Sequence, residues 1–304
     1  MGDRVERVAT PALDGLEAQF RAASPVFRDA VARTRTLLGE GWAADADDTL
    51  ARLLPDPQYI ARAVAGYSRF ALDALRLQAR FEQTREYRHR TFAEVEAAIY
   101  ADDEYMTACY LPGLLLSHFL WPHHYRQLRF FDHAFVDWAR RAGPGTFYDV
   151  GVGTGIYSRR LLAGAPDLTG TAFDISASSA RFAERHADAY GFGDRFAVRL
   201  QDVLEDPPAP VDHMVCVEVL EHLEDPVGFL RGLRAMLRPG GRAFLATALN
   251  AANADHIYLY RTSAEVIDHL DAAGFEIHQY ASAWAAVPRR PGVPVPEVMA
   301  FIVS

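Results

Sequence analysis

The sequence predicts an α/β chain in two parts, an all-helical region over residues 1–144 and a doubly wound, mainly parallel sheet over residues 145–304. No strand rhythm is found before residue 145. Apolar residues there recur at the spacing of one helix face, as in Phe70, Ala74, Leu77 and Phe81, and again in Phe131, Phe135 and Trp138. After Gly143-Pro144-Gly145 short apolar runs alternate with amphipathic stretches, the pattern of strands each followed by a helix. The first of these strands runs into Asp149-Val150-Gly151-Val152-Gly153-Thr154-Gly155, a glycine-rich turn at the strand end where such sheets bind ligands.

In the first half Pro55-Asp56-Pro57, Pro112-Gly113 and Trp121-Pro122 punctuate the helices, and no internal repeat is apparent. In the second half residues 146–150 read as a strand and 155–163 as a helix, followed by strand 168–174 and helix 177–190. Residues 195–200 form a third strand. The fourth, 213–217, is apolar after its first residue, as suits a strand covered on both faces. A helix over 226–237 is expected to stop at Pro239-Gly240-Gly241, before a fifth strand over 242–248. Residues 263–273 form another helix, stopped by Gly274, and strands 275–282 and 298–303 follow.

Composition narrows the chemistry. Half of the 304 residues are hydrophobic and 23% are charged, enough for a substantial core. Arginine supplies all 31 basic residues, so Schiff-base chemistry and a lysine grip on phosphate are excluded. Forty acids leave a net charge of −9, which argues against nucleic acid as a partner. Two cysteines, Cys109 and Cys216, form no disulfide framework or zinc pattern. The most apolar stretch, 111–121, is too short to span a bilayer, and residues 1–25 lack a continuous apolar core. A cytoplasmic protein with no membrane partner is expected.

At the glycine turn the absence of side chains lets backbone approach a ligand closely. The second strand ends in Asp174, where a carboxylate can accept hydrogen bonds from both hydroxyls of a ribose. The third glycine follows the second by two residues rather than three, a departure from the dinucleotide fingerprint.

Together with this turn and Asp174, three further segments resemble, in order, the motifs of class I S-adenosylmethionine-dependent methyltransferases. They are Gln201-Asp202-Val203, Val217-Glu218-Val219-Leu220-Glu221-His222 and Leu237-Arg238-Pro239-Gly240-Gly241. Residues 216–226 are most similar to the small-molecule branch that includes the ubiquinone-pathway O-methyltransferases. The resemblance covers about 145–303 and implies a Rossmann-like sheet of seven strands with a reversed last hairpin, and S-adenosylmethionine as cofactor. Under it, Gly151, Gly153, Thr154 and Gly155 pass beneath the methionine and ribose, Asp174 holds the ribose, and Ile175 lies on the adenine. Asp202 accepts a hydrogen bond from the adenine amino group, with Val203 beside it, and Asp149 and Glu218 flank the methionine end. Residues 1–140 lie outside the resemblance and are expected to form a helical cap that recognises the substrate.

Methyl transfer from a sulfonium is an in-line displacement that needs alignment and, for a protonated nucleophile, a base. His222, just past the fourth strand, is a candidate base. His123 and Tyr105 join it as candidate catalytic groups from the helical half. Tyr110, His118 and His124, with Asn250, His256 and Tyr258 beyond the fifth strand, are candidate substrate contacts. The histidines near Asp102, Asp103 and Glu104 fit no standard ligand spacing, so no metal site is expected.

The leading expectation is O-, N- or C-methylation of a small molecule, by a chain that could form a homodimer. The same fold also hosts attack at the methionine γ-carbon. That chemistry transfers an aminocarboxypropyl group or closes azetidine-2-carboxylate, with release of methylthioadenosine. A cofactor-binding regulator or partner subunit without chemistry is the alternative of another class.

Overall fold

In the computed structural model, which describes residues 9–287 and 292–304, helices α1 (Pro11–Ala23), α2 (Ala30–Leu38), α3 (Glu40–Leu53) and α4 (Pro57–Thr84) come first. The long α4 starts where the Asp56 carboxylate accepts from the Gln58 N–H at 2.6 Å, with Pro57 pre-set at the first helical position. Phe70 and Phe81 on its inner face are buried, as their spacing predicted. The next segments are interrupted by wide π-helical turns. Helix α5 (Phe92–Val95) runs into such a turn at Glu96–Tyr100, and α6 (Asp103–Tyr105) runs through another, Met106–Tyr110, into α7 (Leu111–Leu120). Helices α8 (Pro122–Phe130) and α9 (Asp137–Ala142) are joined by the third, Phe131–Val136.

The second half holds a seven-stranded sheet of order β3-β2-β1-β4-β5-β7-β6. Its strands are β1 (Gly145–Val150), β2 (Leu168–Asp174), β3 (Phe196–Leu200), β4 (Val211–Val217), β5 (Leu237–Leu249), β6 (Ile277–Trp284) and β7 (Glu297–Val303). The first five are parallel, and β7 is antiparallel to both β5 and β6. The reversed hairpin implied by the motif resemblance is therefore present. Helices α10 (Ile156–Gly164), α11 (Ala177–Ala189), α12 (Pro226–Ala235) and α13 (Ser263–Ala272) complete the layers. Chain order reverses between β1 and β4, which opens a crevice at their carboxyl ends.

The boundary that differs most from the sequence reading is the start of β5. Helix α12 ends at Ala235, and β5 starts at Leu237 instead of continuing the helix to that residue. The Met236 N–H closes the helix on Gly232 and Leu233, while its carbonyl accepts from Val211 at 2.9 Å and draws the chain into the sheet. Pro239-Gly240 then lies within the strand, and the β4–β5 register shifts between Val211 and His213.

The helical half is not separate from the sheet. Phe130, Phe131 and Phe135 pack over Phe244 on β5 with ring centroids 5.9, 4.9 and 5.9 Å away. One apolar cluster runs from Leu13 to Ile302. Arg160 on α10 is buried against two acids from the helical half, bonding Asp132 at 2.6 Å and pairing with Asp45. Among the described residues no helix is long and apolar enough to cross a membrane.

Candidate active site

A cavity of about 450 Å³ lies where α4 and α7 meet the carboxyl edge of β1, β2, β4 and β5. Its walls are mostly apolar, with polar groups at two places, the glycine turn and the segment after β4.

At the turn, Gly151 N–H donates to the Phe173 carbonyl at 2.9 Å, and Gly153 N–H to Oδ2 of Asp174 at 3.0 Å. Gly151 has φ +73°, and a Cβ there would meet Val219 Cγ2 at 2.5 Å, so glycine is required both for the turn and for the contact. The other oxygen of Asp174 accepts from Ser176 N–H at 2.8 Å. Burial lifts this carboxyl to about 6, against the pull of those N–H groups. Ile175 beside it is 50% exposed, an apolar side chain open to the cavity. Asp149 is buried and accepts from Ser158 Oγ at 2.6 Å; desolvation lifts it to about 7. A diol-accepting carboxylate, an open apolar face and a backbone free of side chains fit an adenosine, and the acids fit a cationic tail.

Past β4 the groups are more densely connected. Glu218 leaves the strand at φ +54°, and Asn250 leaves the neighbouring β5 at φ +51°, both in the left-handed region that non-glycine residues avoid. Leu220–His222 form a single 3₁₀ turn that places Glu221 in the interior and His222 at the cavity. His222 Nδ1 lies 3.1 Å from the Asp255 carbonyl and 3.3 Å from its carboxylate, so the proton is on Nδ1 and Nε2 carries the lone pair. Tyr100 donates to the same carboxylate at 3.2 Å, and Tyr110 donates to it as well. Burial pushes the Asp255 carboxyl up, but His222, His256 and the Tyr110 hydroxyl outweigh it and hold the group below its usual value. His256 donates through Nδ1 to the Ala251 carbonyl at 2.7 Å.

The wall from the helical half is aromatic and imidazole. Trp121 stacks on His123 at 5.8 Å, and the rings of His123 and His124 are 4.5 Å apart. Burial pulls His118 down to about 3 and His123 to about 4, and His124 lies well below its usual value. These imidazoles are neutral at physiological pH and weak as bases. Their placement suits hydrogen bonding and stacking rather than proton removal.

Of the residues expected from sequence, Asp149, Gly151, Gly153, Thr154, Asp174, Ile175, Glu218, Tyr110, His118, His123, His124, His222 and His256 line this cavity. Six lie off it. Gly155 faces Ala183 of α11 with only 3.1 Å to spare for a Cβ, a packing role. Val203 is buried in the core, and exposed Asp202 caps its own turn by accepting from Leu204 N–H at 2.8 Å. Tyr105 lies under the Arg69 guanidinium, 5.0 Å from ring centroid to carbon. Asn250 donates to the Arg261 carbonyl at 2.8 Å, and Tyr258 packs against Tyr260 and His269. Sequence reasoning missed Tyr100 and gave Glu221 no role; the helical pattern offered no signal for the first, and the second lay unremarked beside His222.

Residues 148–243 match a family described as a methyltransferase domain. The chain is 33% identical over 100 residues to a ubiquinone biosynthesis O-methyltransferase of Xylella fastidiosa strain 9a5c, covering 33% of this chain and 40% of that one. It is 31% identical over 134 residues to the protein of that name from Chromobacterium violaceum, covering 44% and 55%. The chain therefore spans only about half the length of these relatives. Among solved structures, a mitomycin 7-O-methyltransferase superposes over 96% of this chain and 93% of its own, at 16% identity and a TM-score of 0.53. That likeness is one of fold, and it includes the helical half.

Proposed function

We infer that this chain, whose residues 148–243 match a methyltransferase domain, uses S-adenosylmethionine to methylate an oxygen of a small, largely apolar molecule held between the sheet edge and the helical half. When bound, S-adenosylmethionine supplies a methyl group on a sulfonium; the carbon–sulfur bond breaks as the carbon–oxygen bond forms. Gly151 and Gly153 admit the ligand backbone-close, Asp174 holds the ribose, Ile175 covers the base, and Asp149 faces the cationic end.

The observation that carries the oxygen assignment is the cluster Tyr100–Tyr110–Asp255–His222 at the cavity wall. Asp255 fixes the ring of His222, and its Nε2 is free to take the hydroxyl proton of a substrate. Helices α4 and α7 act as the cap, excluding water, and Trp121 with His123 and His124 recognises the acceptor. The test is a panel of phenols, catechols and aliphatic alcohols with labelled S-adenosylmethionine, read by product analysis. S-adenosylhomocysteine with a methylated alcohol or phenol supports this reading. Methylthioadenosine would mean attack at the γ-carbon, and binding without turnover would mean a regulator.

A further inference from the structure

Beside the proposed acceptor position three metal-ligand side chains converge with no hydrogen between them. Nε2 of His222 and Nε2 of His256 each lie 4.0 Å from Oε1 of Glu221, and the ligand atoms of the three residues are within 4.8 Å of one another. Each residue's other polar atom is already committed. His222 Nδ1–H goes to Asp255, His256 Nδ1–H to the Ala251 carbonyl at 2.7 Å, and Glu221 Oε2 accepts from Thr247 Oγ1 at 2.6 Å. Those bonds fix both tautomers with the lone pairs inward, which is how second-layer partners orient metal ligands. Glu221 is fully buried, and its inward Oε1 has no hydrogen-bond partner. Glu218, assigned above to the methionine end, has its carboxyl within hydrogen-bond reach of Glu221 and stands outside the trio. Among the described residues no arginine pairs with either acid.

We propose that Glu221, His222 and His256 bind a divalent first-row transition-metal cation. Three facing lone pairs repel unless something positive stands between them. A point in their plane equidistant from the three atoms lies no more than about 2.5 Å from each, within roughly 0.5 Å of the bond lengths such cations make to imidazole and carboxylate. The two-nitrogen, carboxylate donor set favours Mn²⁺, Fe²⁺, Co²⁺ or Zn²⁺ over Mg²⁺, which prefers oxygen. His222 and His256 line the cavity, so the cation's open positions face the substrate. There it binds the hydroxyl oxygen and lowers its pKa, so that the proton leaves to solvent and the oxygen stays on the metal as an anion. In that state Nε2 of His222 is a ligand rather than a base. This role, though not the site, rests on the methyl-transfer reading.

The experiment uses the full chain freed of metal with EDTA. Mn²⁺ binding is followed by electron paramagnetic resonance, Co²⁺ binding by visible absorption, and S-adenosylhomocysteine binding by calorimetry without metal. The wild type is expected to take up one Mn²⁺ per chain and to melt at a higher temperature with it. His256→Gln and Glu221→Gln should bind it at least tenfold more weakly, and their melting should lose its response to Mn²⁺. Should a variant not fold, the Co²⁺ spectrum of the wild type decides by itself, since nitrogen ligation shifts it from that of the aqueous ion. Absence of stoichiometric binding, an aqueous-type Co²⁺ spectrum or undiminished binding in both folded variants overturns the site. S-adenosylhomocysteine binding separates the two ideas: its loss with Mn²⁺ binding intact removes the cofactor reading and leaves the metal site standing.

Discussion

Tyr110 donates a hydrogen bond to Asp255, 145 residues further along the chain, and so ties the helical half to the loop beyond β5. Tyr110 ends one π-helical turn, and Tyr100, which bonds the same carboxylate, ends another. Wide turns of this kind occur disproportionately at functional sites because they re-aim side chains. Tyr110→Phe removes a bond to a buried charged acceptor and should cost about 1.5–3 kcal/mol of stability, read by denaturant unfolding. Turnover should fall as well, because Asp255 then has one group fewer holding it against His222.

Asp174→Ala should weaken S-adenosylmethionine by about 2–3 kcal/mol, roughly 30- to 150-fold, since two ribose hydroxyls lose a charged acceptor. Calorimetry with S-adenosylhomocysteine measures this. The N–H groups of Gly153 and Ser176 would also lose their acceptor, so a melting curve of the variant belongs beside the titration.

Arg160→Met tests the bond between the two halves. The arginine neutralises Asp45 and Asp132, and without it the two partly buried acids keep only one partner each, Arg159 at 4.0 Å from Asp45 and the half-exposed Arg129 at 3.0 Å from Asp132. Breaking such a buried cluster from one side costs about 3–5 kcal/mol. Thermal unfolding should show a large loss, and Asp132→Asn combined with it should restore part of it.

What could be read from the sequence was what local geometry dictates. The glycine turn, Asp174 and the strand ends follow from short-range rules, and every expected strand is present, the early start of β5 being the largest displacement. The polar cluster depends on contacts between residues far apart. Tyr100 and Asp255 are 155 positions apart, and nothing in the spacing of either reveals the other. Tyr105 and Tyr110 are separated by a π-helical turn, so a uniform helical periodicity could not tell which ring faces the cavity. The metal-ligand trio escaped notice for the same reason: Glu221 and His222 come from the 3₁₀ turn after β4, His256 from the loop after β5.

His222→Ala and His123→Ala should each lower kcat/KM at least about tenfold, or ~1.4 kcal/mol of barrier, with little change in cofactor affinity. The split should differ. His222 touches the reacting oxygen and acts on kcat, whereas His123 lines the acceptor pocket and acts mainly on KM. Tyr105→Phe should leave both near wild type, because its ring lies under Arg69 and off the cavity. A tenfold loss in that variant would bring Tyr105 back to the reacting centre.

In the ligand-free protein the contributions of Asp149 and Asp174 to stability should fall as pH rises through the range from about 4 to 7, while the buried His118, His123 and His124, held below their usual value, act in the opposite sense. Burial lifts the carboxyls of Asp149 to about 7 and Asp174 to about 6, from an ordinary 3.8. The folded chain thus holds protons that the unfolded chain has given up above pH ~4, and stability falls with pH wherever the folded state binds more of them. The contribution is complete below the ordinary value and gone above the folded one. Asp149→Asn cannot ionise, yet its amide oxygen can still accept from Ser158. The variant should therefore gain on the wild type between pH 5 and pH 8, by roughly 2–4 kcal/mol if the Asp149 shift is fully realised. Melting temperatures of both proteins across that range measure the difference. A constant gap would show that Asp149 is already ionised in the folded chain at pH 5, and that the acid is solvated through the cavity rather than sealed from water.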